Sequence, residues 1–195
     1  MQARDYKSRI PLTGLACLAL LINPVIADDL RVFKHGDGQK EIYVGDQAPK
    51  AEDLVKMLEL PSARGLTRGI NPDSTRGSKP VSLAMNLKFK AGSVELTAED
   101  KGQLKPLGEA LQNKQLRSRY FVVAGHTDKR GNPSRNLELS KKRAENVRWH
   151  LVRNFGIDLF LLTAVGLGSE RPLDATDPYS PINRRVTITP VEKYY

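Results

Sequence analysis

Asp128 and Arg143 are the two side chains in this sequence whose types and spacing could do binding chemistry. A carboxylate accepts hydrogen bonds from an ammonium, and a guanidinium offers a planar pair of donors to a carboxylate. Together they could hold opposite ends of one zwitterion. Asp128 closes the run Gly125-His126-Thr127-Asp128, while Arg143 follows Asn136 and Leu139-Ser140 and precedes Ala144. Asn136 and Arg143 are seven residues apart, two helical turns, so on a helix they share a face with Ser140 nearby. His126 reads as a packing and hydrogen-bonding residue. His35, His126 and His150 are scattered without ligand spacing, so no metal site is expected. Ser140, His126 and Asp128 could be sketched as a triad, but no nucleophile elbow or oxyanion hole accompanies them.

To place Asp128 at a cleft, a strand must end just before it. Tyr120 to Ala124 is a nearly continuous apolar run, suited to a strand covered by helices and ending at Gly125. A loop over 128–135 follows, broken by Gly131 and Pro133. The next helix is expected from about 136 to 154, with Leu137, Ala144, Val147 and Leu151 inward and Gly156 as its left-handed cap. Upstream, Leu83, Met85, Leu87 and Phe89 alternate as in a half-buried strand. Thr97 stands three residues before Asp100, a capping-box-like start, and Leu104, Leu107 and Leu111 recur at helical spacing. Pro106 and Gly108 weaken the middle of that helix. Residues 162–167 and 186–188 read as the last strands. The order is β-α-β-α-β-β, an α+β two-layer sandwich with helices on one face of a small mixed sheet.

Residues 1–27 read as a signal peptide: Arg4, Lys7 and Arg9, an apolar run over 10–22, then a small residue at Ala27. The run is shorter than the roughly 20 residues of a membrane span. Cys17, the only cysteine, lies inside it, with Gly14 where lipidation wants a leucine-like residue. Processing would leave no cysteine for a disulfide or thiolate site. Residues 28–60 form a small N-terminal segment of unassigned role, with apolar groups at Val32-Phe33 and Ile42-Tyr43-Val44. That segment ends in a short amphipathic helix carrying Leu54, Val55 and Leu58, stopped by Pro61. Residues 61–81, rich in Pro, Gly, Ser and Arg, read as a linker, and 82–195 as the compact domain. No series of alternating ten-residue strands indicates a barrel.

The formal charge is +9, and its excess outside the leader lies in 82–195. Such a charge favours anionic partners: nucleic acid, acidic lipid or an anionic wall polymer. Behind an export signal, the envelope is the place to look for one.

Three blocks, GHTD at 125–128, NLELSKKRAENV at 136–147 and NRRV at 183–186, carry a resemblance. In order and spacing they resemble the OmpA-like C-terminal domain family, the peptidoglycan-binding module of many bacterial envelope proteins. The resemblance covers residues 82–190. It implies that Asp128 and Arg143 hold the diaminopimelate of peptidoglycan stem peptides. It further implies that Asn136 orders the loop or hydrogen-bonds the peptide, that Thr127 fixes the turn through hydroxyl and backbone, and that Arg184 adds a cation beside the pocket; Ser140 supports the same face. The implied protein is not an enzyme and needs no cofactor. Its expected place is the periplasm or the periplasmic face of the outer membrane of a Gram-negative cell. Its expected partners are peptidoglycan and an envelope protein engaged through 28–60, with outer-membrane association and without nucleic acid. The alternative is an interaction subunit of a secretion or pilus apparatus without wall binding. Lys88 and Lys90, and the basic pair Lys129-Arg130, depart from the family's pattern. Arg185 is expected as a solvated or sheet-edge charge, opposite Arg184 on its strand. Trp149 reads as a core-edge packing residue.

Overall fold

The computed structural model describes residues 30–59, 80–90 and 92–191. The expected signal peptide and nearly all of the expected linker lie outside the described residues. In chain order the elements are β1 (Leu30–Lys34), β2 (Lys40–Val44), α1 (Ala51–Leu58), β3 (Ser82–Met85), α2 (Ala98–Leu111), β4 (Tyr120–His126), α3 (Pro133–Phe155), β5 (Leu162–Gly168) and β6 (Val186–Val191). The strands form one mixed sheet in the order β1-β2-β3-β6-β4-β5. From β3 onward the sequence is the expected β-α-β-α-β-β.

Alternation sorts the two faces of the sheet. Ile42, Val44, Leu83, Met85, Val123, Val186 and Ile188 point into one core shared with Leu54 and Leu58 of α1, Leu104, Leu107 and Leu111 of α2, and Val147 and Leu151 of α3. The other face carries Glu41, Arg185 and Thr187, polar and nonetheless buried.

The sheet does not begin at β3. β2 pairs in parallel with it, from Glu41 opposite Ser82 to Val44 opposite Met85, and β1 adds an antiparallel edge. Residues 30–58, read as a segment apart from the compact domain, are therefore built into its sheet and core. The reason is non-local: a parallel neighbour is reached only through a crossover, so nothing within residues 28–60 announces it.

Three local features aim the remaining elements. Thr97 caps α2 in a reciprocal box with Asp100, whose fully buried carboxylate also accepts the Lys88 backbone N–H. That bond ties the loop after β3 to α2; β3 itself ends at Met85, short of the alternation that runs to Phe89. Gly108 is not a weak point in α2 but a contact: a Cβ there would stand 2.3 Å from the Phe155 ring. Helix α3 starts earlier than expected, because Asn132 caps the Ser134 and Arg135 N–H groups and Pro133 takes the first helical position. It ends at Gly156 with φ of 63°, the left-handed cap.

Helix α3 lies directly on bare backbone. A Cβ on Gly125 would stand 2.0 Å from the Ser140 carbonyl oxygen, and one on Gly166 2.5 Å from that of Leu137. This close seat rotates Leu137 outward to 46% exposure, against the expectation that it faces inward. The buried stripe is Asn136, Ser140, Arg143, Ala144, Val147 and Leu151 instead. Its polar half lies at the end of the helix nearest Asp128.

Candidate functional site

Asp128 stands two residues beyond β4, at the end of the sheet where β5 also finishes. The β4–β5 register slips between Gly125 and His126, a bulge that turns the chain out of the ladder just before Thr127. Backbone bonds then pin the turn from both sides. Thr127 N–H donates to Gly168 O at 2.8 Å, and Lys129 N–H to Pro178 O at 3.0 Å. Asn136 Nδ2 donates to Asp128 O (3.3 Å) and Arg130 O (2.8 Å), so this side chain orders the loop. Ser140 is wholly buried; its hydroxyl donates to Leu137 O (2.8 Å) and accepts the Gly168 N–H (2.9 Å). It joins α3 to the end of β5 and leaves no hydroxyl for a ligand or for triad chemistry.

The Asp128 carboxylate is buried, with Oδ1 accepting the Arg130 N–H (3.1 Å) and Oδ2 accepting Arg184 Nη1 (2.8 Å). Arg184 itself is 42% exposed in its side chain. Its backbone is set by Asn183, whose amide oxygen accepts the Leu173 and Asp174 N–H groups (2.7 and 2.9 Å). The Asn183 amide nitrogen donates to the Asp174 and Asp177 carbonyls, so this wholly buried side chain organises the loop in front of Arg184.

Arg143 does not pair with Asp128. Its Nε donates to Ser93 O at 3.0 Å and its Nη2 to Lys90 O at 3.3 Å, while Phe89 lies 4.7 Å below the guanidinium carbon. Its Nη1 has no hydrogen-bond partner among the described residues. Burial pushes its pKa down, as does the charge of Arg184, while Asp128 and Asp100 push it up. It remains a cation, held in place by neutral groups and without a carboxylate of its own.

Sequence reasoning missed two parts of this arrangement. Phe89 was seen only as part of a strand, and Asn183 only as part of a block. The hydroxyl of Thr127, expected to fix the turn, is buried without a hydrogen-bond partner among the described residues. Lys88 is tied to Glu99 (2.8 Å) and Asp46 (3.3 Å) on the surface, away from ligand duty. Arg185 is the clearest correction. It is 2% exposed, and its Nε and Nη2 donate to Glu41 at 2.9 and 3.0 Å. β2 brings Glu41 onto the same face of the sheet, where it serves the enclosed arginine as a buried counter-charge.

His126 is buried beside this pair, with Nε2 3.3 Å from Thr187 Oγ1. Burial, reinforced by the Arg185 charge, lowers its pKa to about 3. Burial alone would raise the Glu41 carboxyl; His35 and Arg185 outweigh it and hold the pKa near 2. The His35 Nε2 stands 2.9 Å from Glu41 Oε1, though its angle falls short of hydrogen-bond geometry. Among the described residues no group of three or more His, Cys, Asp or Glu could hold a metal ion, and no helix is long and apolar enough to cross a membrane.

Comparison with known proteins places the chain in a family. The model of the OmpA family matches residues 88–185, half of the chain. The chain belongs to the OmpA family. Among its relatives, outer membrane porin F of Pseudomonas aeruginosa is 34% identical over 108 residues, 54% of this chain and 30% of the porin. The peptidoglycan-associated lipoprotein of the same organism is 28% identical over 123 residues, 57% of this chain and 71% of that protein. The periplasmic domain of Helicobacter pylori MotB superposes with a TM-score of 0.50 at 23% identity, covering 59% of this chain and 78% of that one, a likeness of fold. The chain matches only about a third of the length of the porins. The OmpA-family match contains Asp128, Asn136, Arg143 and Arg184, and it begins after β1, β2, α1 and β3.

Proposed function

We propose that this chain is a non-catalytic anchor that binds peptidoglycan through the diaminopimelate of its stem peptides, on the periplasmic side of the outer membrane. The observation that carries the reading is the pairing of unlike sites at one strand end. Asp128 is a buried carboxylate, and Arg143 a buried cation whose neighbours are carbonyls and a ring rather than an acid. A buried guanidinium without a counter-ion is expensive, and a ligand carboxylate relieves that cost. The ligand's ammonium then takes the Asp128 carboxylate in place of the partly exposed Arg184. Names among the relatives, an outer membrane porin and a peptidoglycan-associated lipoprotein, agree with this assignment. An envelope component would be tied to the wall by it.

The test is co-sedimentation with purified sacculi in low and moderate salt, using Asp128→Asn and Arg143→Lys. Asn keeps the shape of Asp128, and Lys keeps the charge of Arg143 without its planar fork. Each lost charge-assisted bond is worth roughly 1.5–3 kcal/mol, so affinity should fall on the order of 10- to 100-fold. Near-wild-type binding by both variants would sink the assignment. Binding that salt abolishes and neither variant changes would mean that the positive charge holds any anionic polymer.

A further inference from the structure

The end of the domain opposite the site has a different character. β4 and β5 run parallel and both begin there, and α2 and α3 both finish there. Its apex is the 3-10 turn Leu159–Leu161, where Phe160 is 85% exposed, the most exposed large apolar side chain among the described residues. The turn is not a loose tip. The Asp158 carboxylate accepts the Phe160 N–H at 2.9 Å, and Arg148 Nη2 donates to Leu159 O at 3.0 Å. With the Leu161 N–H donating to Asp158 O at 3.1 Å, the backbone on both sides of Phe160 is fixed while its side chain stands in solvent.

Cations surround it. Phe121 pairs with Leu162, the residue after the turn, so the segment leading into β4 lies at the same end of the sheet as Phe160. Arg119 belongs to the segment 112–119, which contains exposed Lys114 and Arg117 and no acid. On the other side Trp149, 39% exposed, has the guanidinium carbons of Arg148 and Arg153 at 5.9 and 5.2 Å from its ring. Two of the arginines have local roles: Arg119 donates to Gln115 O and Arg148 to Leu159 O, each at 3.0 Å, carbonyls of the turns that follow the two helices. Those roles leave Lys114, Arg117, Phe160 and Trp149 unexplained.

We propose that this end is a docking surface for an anionic phospholipid bilayer, with Phe160 entering the headgroup boundary and the surrounding cations facing lipid phosphates. Aromatic side chains with basic neighbours suit that boundary, where rings find partial burial and long cationic stems reach the charged layer. β5 has seven residues, so at roughly 3.3 Å per residue about 20 Å separates Phe160 from the Asp128 end. A membrane and a wall ligand can be engaged at once, from opposite ends of one sheet.

The full chain, Phe160→Ser and Lys114→Glu/Arg117→Glu are compared by flotation with vesicles of phosphatidylglycerol and phosphatidylethanolamine, and with neutral phosphatidylcholine vesicles. Trp149, the only tryptophan, reports from within the surface. Its emission should shift to the blue on anionic vesicles. Each cation near an anionic surface contributes about fivefold in affinity, so the double reversal should weaken binding by more than tenfold. Phe160→Ser should weaken it several-fold, and both variants should pellet with sacculi as the wild type does. Equal binding to neutral vesicles overturns the proposal. So does binding that neither variant alters, the result expected if the apolar N-terminal run carried it.

Discussion

Removing Glu41 tests whether residues before the family match hold the domain together. Its carboxylate receives two donors from Arg185, at 2.9 and 3.0 Å, across 144 positions of sequence. In Glu41→Ala, Arg185 keeps only the Arg171 carbonyl at 3.1 Å and remains enclosed without a counter-charge. Breaking one side of such a buried pair typically costs about 3–5 kcal/mol. Against a typical total stability of roughly 5–15 kcal/mol, that is enough to bring the fold near its threshold. Urea titration of the wild type and the variant gives the difference directly, and moderate salt should change it little because the pair is shielded. The companion double variant Glu41→Leu/Arg185→Met should regain most of the loss, since an apolar pair replaces a buried ionic one at little net cost. The reasoning fails if Glu41→Ala lowers stability by less than about 1 kcal/mol, the range of an exposed ion pair. It fails equally if the double variant is the less stable of the two.

Two other side chains give sharp expectations. The His126 pKa lies near 3 in the fold against 6.5 in the unfolded chain, so as pH falls below 6.5 the unfolded chain gains a proton that the fold refuses. Stability should therefore fall with acid by about 1.4 kcal/mol per pH unit from this group. Urea midpoints between pH 6.5 and 4.5 should show that slope reduced in His126→Gln; an unchanged slope would mean the ring titrates normally. The lowered pKa of Glu41 adds its own loss only below about 4.5, continuing towards 2. Thr127→Val removes a buried hydroxyl that bonds nothing among the described residues, so stability should hold or rise by up to about 1–3 kcal/mol. If that hydroxyl serves a ligand, sacculus binding should drop in the same variant, and unchanged binding assigns it no such role.

The compact half of the fold was legible because its signals are local. The apolar run at 120–124, the Thr97–Asp100 box and the Gly156 cap each announce an element within a few residues, and each element is present. What the sequence concealed depends on distant partners. β2 finds β3 beyond a stretch that reads as linker, and Arg185 looks like a surface charge until Glu41 is brought beside it. Leu137 misled for a related reason. Helical periodicity counts side chains, whereas the seat of α3 is set by the missing side chains of Gly125 and Gly166. At the site, the types and the shared face of Asn136, Ser140 and Arg143 were readable. Their division of labour was not, because it depends on which carbonyls the loops at 86–96 and 128–132 present.

The pairing of Asp128 with Arg184 bears on what a ligand must be. In the free protein it keeps a buried carboxylate compensated, and an unpaired one would be costly. An ammonium arriving at Asp128 meets a partner that is partly exposed and readily solvated, so displacing it forfeits little. The released guanidinium then adds to a local excess of positive charge, since Arg143 lies within electrostatic reach of both Asp128 and Arg184. An amine alone would leave two cations facing each other across one acid. A carboxylate alone would satisfy Arg143 and leave the Asp128 pair closed. A ligand carrying both an ammonium and a carboxylate completes the set, and this is the ground for proposing the zwitterionic end of diaminopimelate rather than an anionic polymer at large.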